Sequence, residues 1–263
     1  MFKALGVGIN IYTLADAQLQ GCVFDIQNDV KYLTSKFGFP QESITLLKDA
    51  DATTQNWKDA LKSFVSGVNP GDVLAFFNSC HGTTHEGCGI PEGSFVNAVC
   101  PSDFDFSPEK MITDVFFRDI FATLPSGVIF NWWSDSCHSA NLDRIILRPG
   151  HKHKLFPGSK IRPIGQKRFW PFNFENNPHP TGGGLSQVGF MSGCGLNETS
   201  CDAFIDGNHC GAFTTYMWKA FDTMPNTSIL TDLQNKTNQL LIANGYDQHS
   251  TVDGGRILKP LLK

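Results

Sequence analysis

Two short stretches of this sequence combine residue types that can perform covalent chemistry. Gly71-Asp-Val-Leu-Ala-Phe-Phe-Asn-Ser-Cys-His81-Gly82 is an apolar run that ends on small polar residues, a histidine and a glycine. Ile129-Phe-Asn-Trp-Trp-Ser-Asp-Ser-Cys137-His-Ser-Ala repeats the design and ends on a cysteine. A thiol with a pKa of about 8.5 is only slightly ionised at neutral pH, so a nucleophilic cysteine needs a neighbouring base. His81, about fifty residues before Cys137, is read as that base, in the order and spacing of a Cys/His hydrolase. His138 ranks lower, because consecutive residues leaving a strand point apart. The backbone N–H groups of Gly82 and Cys137 are the expected oxyanion donors, with Gly82 allowing close approach. A lone cysteine or histidine is more often structural than catalytic, so the signal is the pair at two strand ends.

The elements that must position this pair follow from periodicity. Residues 3 to 9 read as a strand, and Ile26, Val30, Leu33 and Phe37 recur at helical spacing until Gly38 and Pro40 end the helix. Ile44-Thr-Leu-Leu-Lys is a second strand, and Trp57, Leu61, Phe64 and Val65 share one helix face. The His81 strand comes next. A long irregular connection is expected after Gly82, and then a helix through Phe117, Ile120, Phe121 and Leu124 returns the chain to the Cys137 strand. This alternation predicts an α/β fold with a mostly parallel sheet of about six strands and helices on both faces. Sites in such sheets lie at the carboxyl ends of strands.

Residues 141 to 186 read as a long exposed loop. Between 144 and 168 it carries eight basic residues (Arg144, Arg148, Lys152, Lys154, Lys160, Arg162, Lys167 and Arg168) and no acidic one. Gln187-Val-Gly-Phe-Met-Ser restores a strand, helices follow from Gly211 and from Ser228 to Ala243, and Val252 to Leu258 is a last strand or an extended tail. The chain thus divides into a first part, 1–143, a basic connection, 144–186, and a second part, 187–263, of a single domain.

Composition narrows the class. The chain has 263 residues, 22 of them Phe, and only 17% are charged, which implies a thick aromatic core. A net charge of −4 gives no general attraction to nucleic acid or an anionic membrane. The N-terminal apolar run is too short for a signal peptide and no stretch approaches a membrane span, so a cytoplasmic protein is expected. The eight cysteines are read as reduced thiols, since a chain this large does not need disulfides. Cys80, His81, His85 and Cys88 are all zinc-type ligands, but their spacing fits no zinc pattern and would consume the proposed base.

Several motifs together resemble those of metacaspases and their bacterial relatives, within the caspase-like cysteine peptidases. Ser79-Cys-His81-Gly82 resembles their Ser-Gly-His-Gly, Asp135-Ser-Cys137-His-Ser-Ala their Asp-x-Cys-His-Ser-Gly, and Gly21-Cys-Val-Phe-Asp25 their Gly-Cys-x-Asn-Asp. Gly211-Ala-Phe-Thr-Thr resembles the start of their small-subunit helix. The likeness covers residues 3 to 143 and, less closely, 187 to 221. Cys80, Phe24 and Ala140 depart from it, and a catalytically inert caspase-fold protein that binds partners through its basic loop is the alternative.

The resemblance implies a caspase-like fold and a cysteine endopeptidase. It implies a specificity pocket lined by Asp25 and Asp135, with Cys22 and Ser79 beside them, that accepts Arg or Lys before the cut. Two carboxylates suit a guanidinium, although Asp25 could instead cap its helix and Asp135 hold a turn. It also implies self-cleavage in the basic connection, for which the eight Lys and Arg residues are candidates. No cofactor is expected to be required; calcium is an option through Asp114 and Asp143, but Val96 and Val115 stand where further acidic ligands are expected, and calcium needs six to eight oxygens. The expected partners are protein or peptide substrates, with no nucleic acid and no membrane, acting on a monomer by analogy.

Overall fold

The computed structural model describes residues 1–86, 95–137, 152–154, 188–195, 198–225 and 228–253. In chain order the elements are β1 (Phe2–Gly8), α1 (Cys22–Phe37), β2 (Ile44–Lys48), α2 (Thr54–Val65), β3 (Val73–Ser79), β4 (Gly82–Glu86) and β5 (Phe95–Val99). They continue with β6 (Ile112–Thr113), α3 (Asp114–Phe121), β7 (Ile129–Asp135), β8 (Lys152–His153), β9 (Val188–Ser192), β10 (Cys201–Ile205), β11 (Asn208–Gly211), α4 (Ala212–Phe221), α5 (Leu230–Ala243) and β12 (Thr251–Asp253).

A six-stranded sheet runs in the order β12-β9-β7-β3-β1-β2. Its internal pairs are parallel, and only the edge strand β12 is antiparallel, to β9. Because strand side chains alternate between faces, β3 serves two cores at once. Leu74 and Phe76 pack with α2 and α3, while Ala75 and Phe77 pack with α1, α4 and α5. The near-continuous apolar runs in the sequence are therefore strands buried on both faces.

The same packing fixes the strand tips. Trp132 of β7 sits 4.6 Å from Phe117, 4.4 Å from Phe190 and 5.4 Å from Phe76, centroid to centroid. Each such contact contributes about 0.5–1.5 kcal/mol beyond area burial. Its indole N–H donates to Asn78 Oδ1 at 2.9 Å, and Asn78 Nδ2 donates to Ser134 Oγ at 2.9 Å. The register Ser79↔Asp135 follows, and the chains leave β3 and β7 side by side toward His81 and Cys137.

Two expectations are corrected. The connection after Gly82 is not simply irregular, because β4, β5 and β6 form a small antiparallel sheet. The basic connection is not exposed throughout. Residues 152–153 form β8, which pairs with β10 in the sheet β11-β10-β8, and Lys154 is fully buried. Among the described residues no helix is long and apolar enough to cross a membrane.

Candidate active site

The ends of β3 and β7 carry the two expected reactive residues. Cys80 N–H donates to the Asp135 carbonyl at 3.3 Å, so the two chain exits are tied together. Gly82 then lies directly against Cys137: a Cβ there would stand 1.7 Å from the Cys137 carbonyl oxygen. No side chain fits, which accounts for glycine after the histidine.

His81 is almost wholly buried. Its Nε2 lies 2.8 Å from the Ala17 carbonyl, its backbone N–H donates to Tyr12 Oη at 2.8 Å, and its ring also meets the Lys154 backbone. Burial lowers its pKa to about 4, outweighing the two backbone contacts that favour protonation. The Cys137 thiol is also buried, and burial, then Cys194 beside it, pushes its pKa well up. Its Sγ accepts from Ser200 N–H at 3.1 Å and lies 3.6 Å from the Ser200 carbonyl.

Asp25 and Asp135 lie close together, and neither plays the alternative local role. Asp25 lies in the first turn of α1 and turns its carboxylate away from that helix: Oδ1 accepts from Gly211 N–H at 2.7 Å and Oδ2 from Ser79 Oγ at 2.6 Å. Asp135 Oδ2 accepts from Thr214 N–H at 3.1 Å and Thr214 Oγ1 at 2.8 Å, and its Oδ1 accepts from Ser200 Oγ. Cys22 is buried beside them, with Ser79 as a hydrogen-bond partner.

Lys154 occupies the space between the carboxylates. Its Nζ lies 3.1 Å from Asp25 Oδ2, 3.1 Å from Asp135 Oδ1 and 2.7 Å from Ser79 Oγ. Burial alone would lower the pKa of this ammonium, but Asp135, Cys22, Asp25 and Asp202 hold it well above the ordinary value. In turn the Asp25 carboxyl is raised to about 6, chiefly by burial, with Lys154 opposing the rise and Asp135 adding to it.

The backbone of Lys154 is held as well. Its N–H donates to the Ser200 carbonyl at 3.0 Å, and its carbonyl accepts from Gly82 N–H at 2.8 Å. The two preceding residues pair with β10, His153 opposite Cys201 and Lys152 opposite Asp202. Lys152 Nζ donates to the Gln18 carbonyl at 2.9 Å.

The sequence reading did not assign Ser200, Gly211, Thr214, Asp202, Gln248 and Tyr12 to the site. Gly211 forms the pocket wall, where a Cβ would be 2.0 Å from Asp135 Oδ2 and 2.6 Å from Lys154 Nζ. Asp202 accepts from Gln20 N–H at 2.8 Å and Gly21 N–H at 3.0 Å, fixing the turn before α1. Gln248 accepts from Cys201 N–H at 3.0 Å and donates to the Gly193 carbonyl at 2.8 Å. Only the Gly211-Ala-Phe-Thr-Thr motif gave any signal for this group.

Other candidates sit elsewhere. Cys80 contacts Asn78 Nδ2 at 3.7 Å, and Cys88 lies outside the described residues, as do His138, Asp143, Arg144, Arg148, Lys160, Arg162, Lys167 and Arg168. Of the calcium residues implied by the resemblance, Asp114 lies within the described residues and Asp143 does not. Asp114 Oδ2 accepts from Asn97 N–H and Nδ2, both at 3.1 Å, and Oδ1 from Val115 N–H at 2.9 Å, while Val96 and Val115 offer no side-chain oxygen. Asp114 is held as the first residue of α3.

This architecture matches known folds. A solved protein from Geobacter sulfurreducens superposes with a TM-score of 0.69 at 17% identity, covering 99% of this chain and 97% of that one. Caspase-1 from Spodoptera frugiperda does so with a TM-score of 0.61 at 10% identity, covering 99% and 88%. The fold is therefore the caspase-like α/β fold. The family model for the metacaspase, peptidase C14 domain matches residues 2–144, more than half of the chain, and the chain belongs to the metacaspase family. Metacaspase-4 of Arabidopsis thaliana is 37% identical over 147 residues, 53% of this chain and 34% of that protein. Metacaspase-1 of Candida glabrata is 27% identical over 289 residues, 94% of this chain and 70% of that protein. The match thus spans about a third of the Arabidopsis relative's length.

Proposed function

We propose that the protein is a cysteine endopeptidase that cleaves after a basic residue, and that its own chain is a substrate, cut between Lys154 and Leu155. The observation that carries this is the posture of Lys154. Its ammonium lies between Asp25, Asp135 and Ser79, its N–H is on Ser200, and its carbonyl is on Gly82, beside Cys137. A lysine buried in this way resembles a substrate residue bound before the cut.

In this reading the Cys137 sulfur attacks the Lys154 carbonyl carbon. Gly82 N–H, already on that oxygen, receives the developing negative charge, with Cys137 N–H as the second donor; loss of one such donor costs about a hundredfold or more. The thiol, with its raised pKa, is neutral, and the imidazole, with a pKa of about 4, is neutral too. The thiol proton therefore passes to His81 as the C–S bond forms. His81 then returns it to the departing Leu155 amine as the C–N bond breaks, and water hydrolyses the acyl-enzyme by the reverse proton path.

The test pairs peptide hydrolysis with mass analysis of the chain. Fluorogenic peptides ending in Lys, Arg or Asp are offered to wild type and to Cys137→Ala, and both proteins are incubated alone. Wild type is expected to cut the basic peptides and to yield a fragment ending at Lys154, and Cys137→Ala to do neither. Cleavage after Asp would refute the pocket, and no cleavage by either protein would favour an inert caspase-fold binding protein.

A further inference from the structure

We infer that the specificity pocket selects lysine over arginine, a statement that rests on reading Lys154 as a bound substrate residue. Donors and acceptors in the pocket balance for an ammonium. An ammonium has three donors, and the pocket turns three acceptors toward it: Asp25 Oδ2, Asp135 Oδ1 and Ser79 Oγ. Lys154 leaves none of its donors unpaired.

A guanidinium has five donors in a rigid plane and binds best across both oxygens of one carboxylate. Neither carboxylate offers that edge. The second oxygen of Asp25 is held by Gly211 N–H, and that of Asp135 by Thr214 N–H and Oγ1. Asp202 adds negative charge nearby, but its two oxygens are engaged by the N–H groups of Gln20 and Gly21. The expectation of bidentate arginine recognition, natural for two carboxylates in a sequence, fails because each one presents a single oxygen.

Depth points the same way. The Gly211 backbone stands against the ammonium so closely that even a methyl at that position would lie 2.6 Å from Nζ. A wider, longer head group would have to displace the Gly211–Asp25 bond or leave buried donors unpaired, and each unpaired buried donor weakens binding about tenfold.

The experiment compares kcat/KM for acetyl-Lys-His-Lys and acetyl-Lys-His-Arg coumarin amides, which copy residues 152–154. Both are assayed with the wild-type chain and with Lys154→Ala, whose own side chain no longer fills the pocket. The lysine peptide is expected to be cut at least about tenfold more efficiently. In Ser79→Ala, which lacks the third acceptor, the ratio is expected to fall toward one because lysine cleavage drops more than arginine cleavage. Equal or faster arginine cleavage by wild type overturns the inference and leaves the proposed peptidase standing. An unchanged ratio in Ser79→Ala overturns the donor count. Failure of both proteins to cut either peptide overturns the proposed function itself, and the inference with it.

Discussion

Asp25 is where charge and burial compete most directly. Its carboxyl is raised to about 6 because burial disfavours the ionised form more than Lys154 favours it. A raised carboxylate is ionised above that value and binds a proton below it, and a protonated Asp25 cannot pair with a substrate ammonium. We therefore expect kcat/KM for lysine peptides to fall as pH drops through about 6, with most of the loss in KM. A KM that stays flat from about pH 5 to 8 would count against the role of Asp25.

At the scale of elements, β10 is the template that a substrate joins in the proposed peptidase. Residues 152 and 153 add to it as an antiparallel strand, and the bond from Lys154 N–H to the Ser200 carbonyl, 3.0 Å, extends the pairing to Lys154, the residue before the proposed cut. The carbonyl end of the same residue rests on Gly82, at the start of β4. Main-chain bonds of this kind supply affinity while a side-chain pocket supplies specificity. A lysine peptide N-methylated at the residue before the cut loses the Ser200 bond, and its kcat/KM is expected to fall about tenfold or more. If the methylated and unmethylated peptides are cut alike, the substrate does not bind as a strand on β10.

For the molecule as a whole, the docked segment makes the candidate active site part of the core. Lys154 is buried, and Asp25 and Asp135 behind it are 1% exposed, so Lys154 fills the pocket that an external lysine would need while the segment stays in place. Replacing Lys154 with Ala removes the buried ammonium and its three bonds, and is expected to release the segment. Mass analysis should then find no fragment ending at residue 154. Iodoacetamide should alkylate Cys137 at least about tenfold faster than in the uncut wild type, since thiol reactivity follows access and ionisation. Equal alkylation rates would mean that the segment does not limit access.

Much of the frame was decided by local sequence. The period of β3 separates Leu74 and Phe76 from Ala75 and Phe77, and the helical spacing of Ile26 and Leu33 or of Trp57 and Leu61 marks faces that a parallel sheet must cover. The strand-end placement of His81 and Cys137 followed from the same patterning, because a buried strand ends where polar residues begin. The contents of the pocket did not follow. Lys154 reads as one base among eight in an aperiodic stretch, and its partner Asp25 lies 129 positions away. Ser200, Gly211 and Thr214 act largely through backbone groups, whose partners no residue type encodes. Which oxygen each carboxylate shows to the pocket depends on the close packing of α1, α4 and the tip of β7, and that choice, on which the inferred preference for lysine rests, exists only in the tertiary structure.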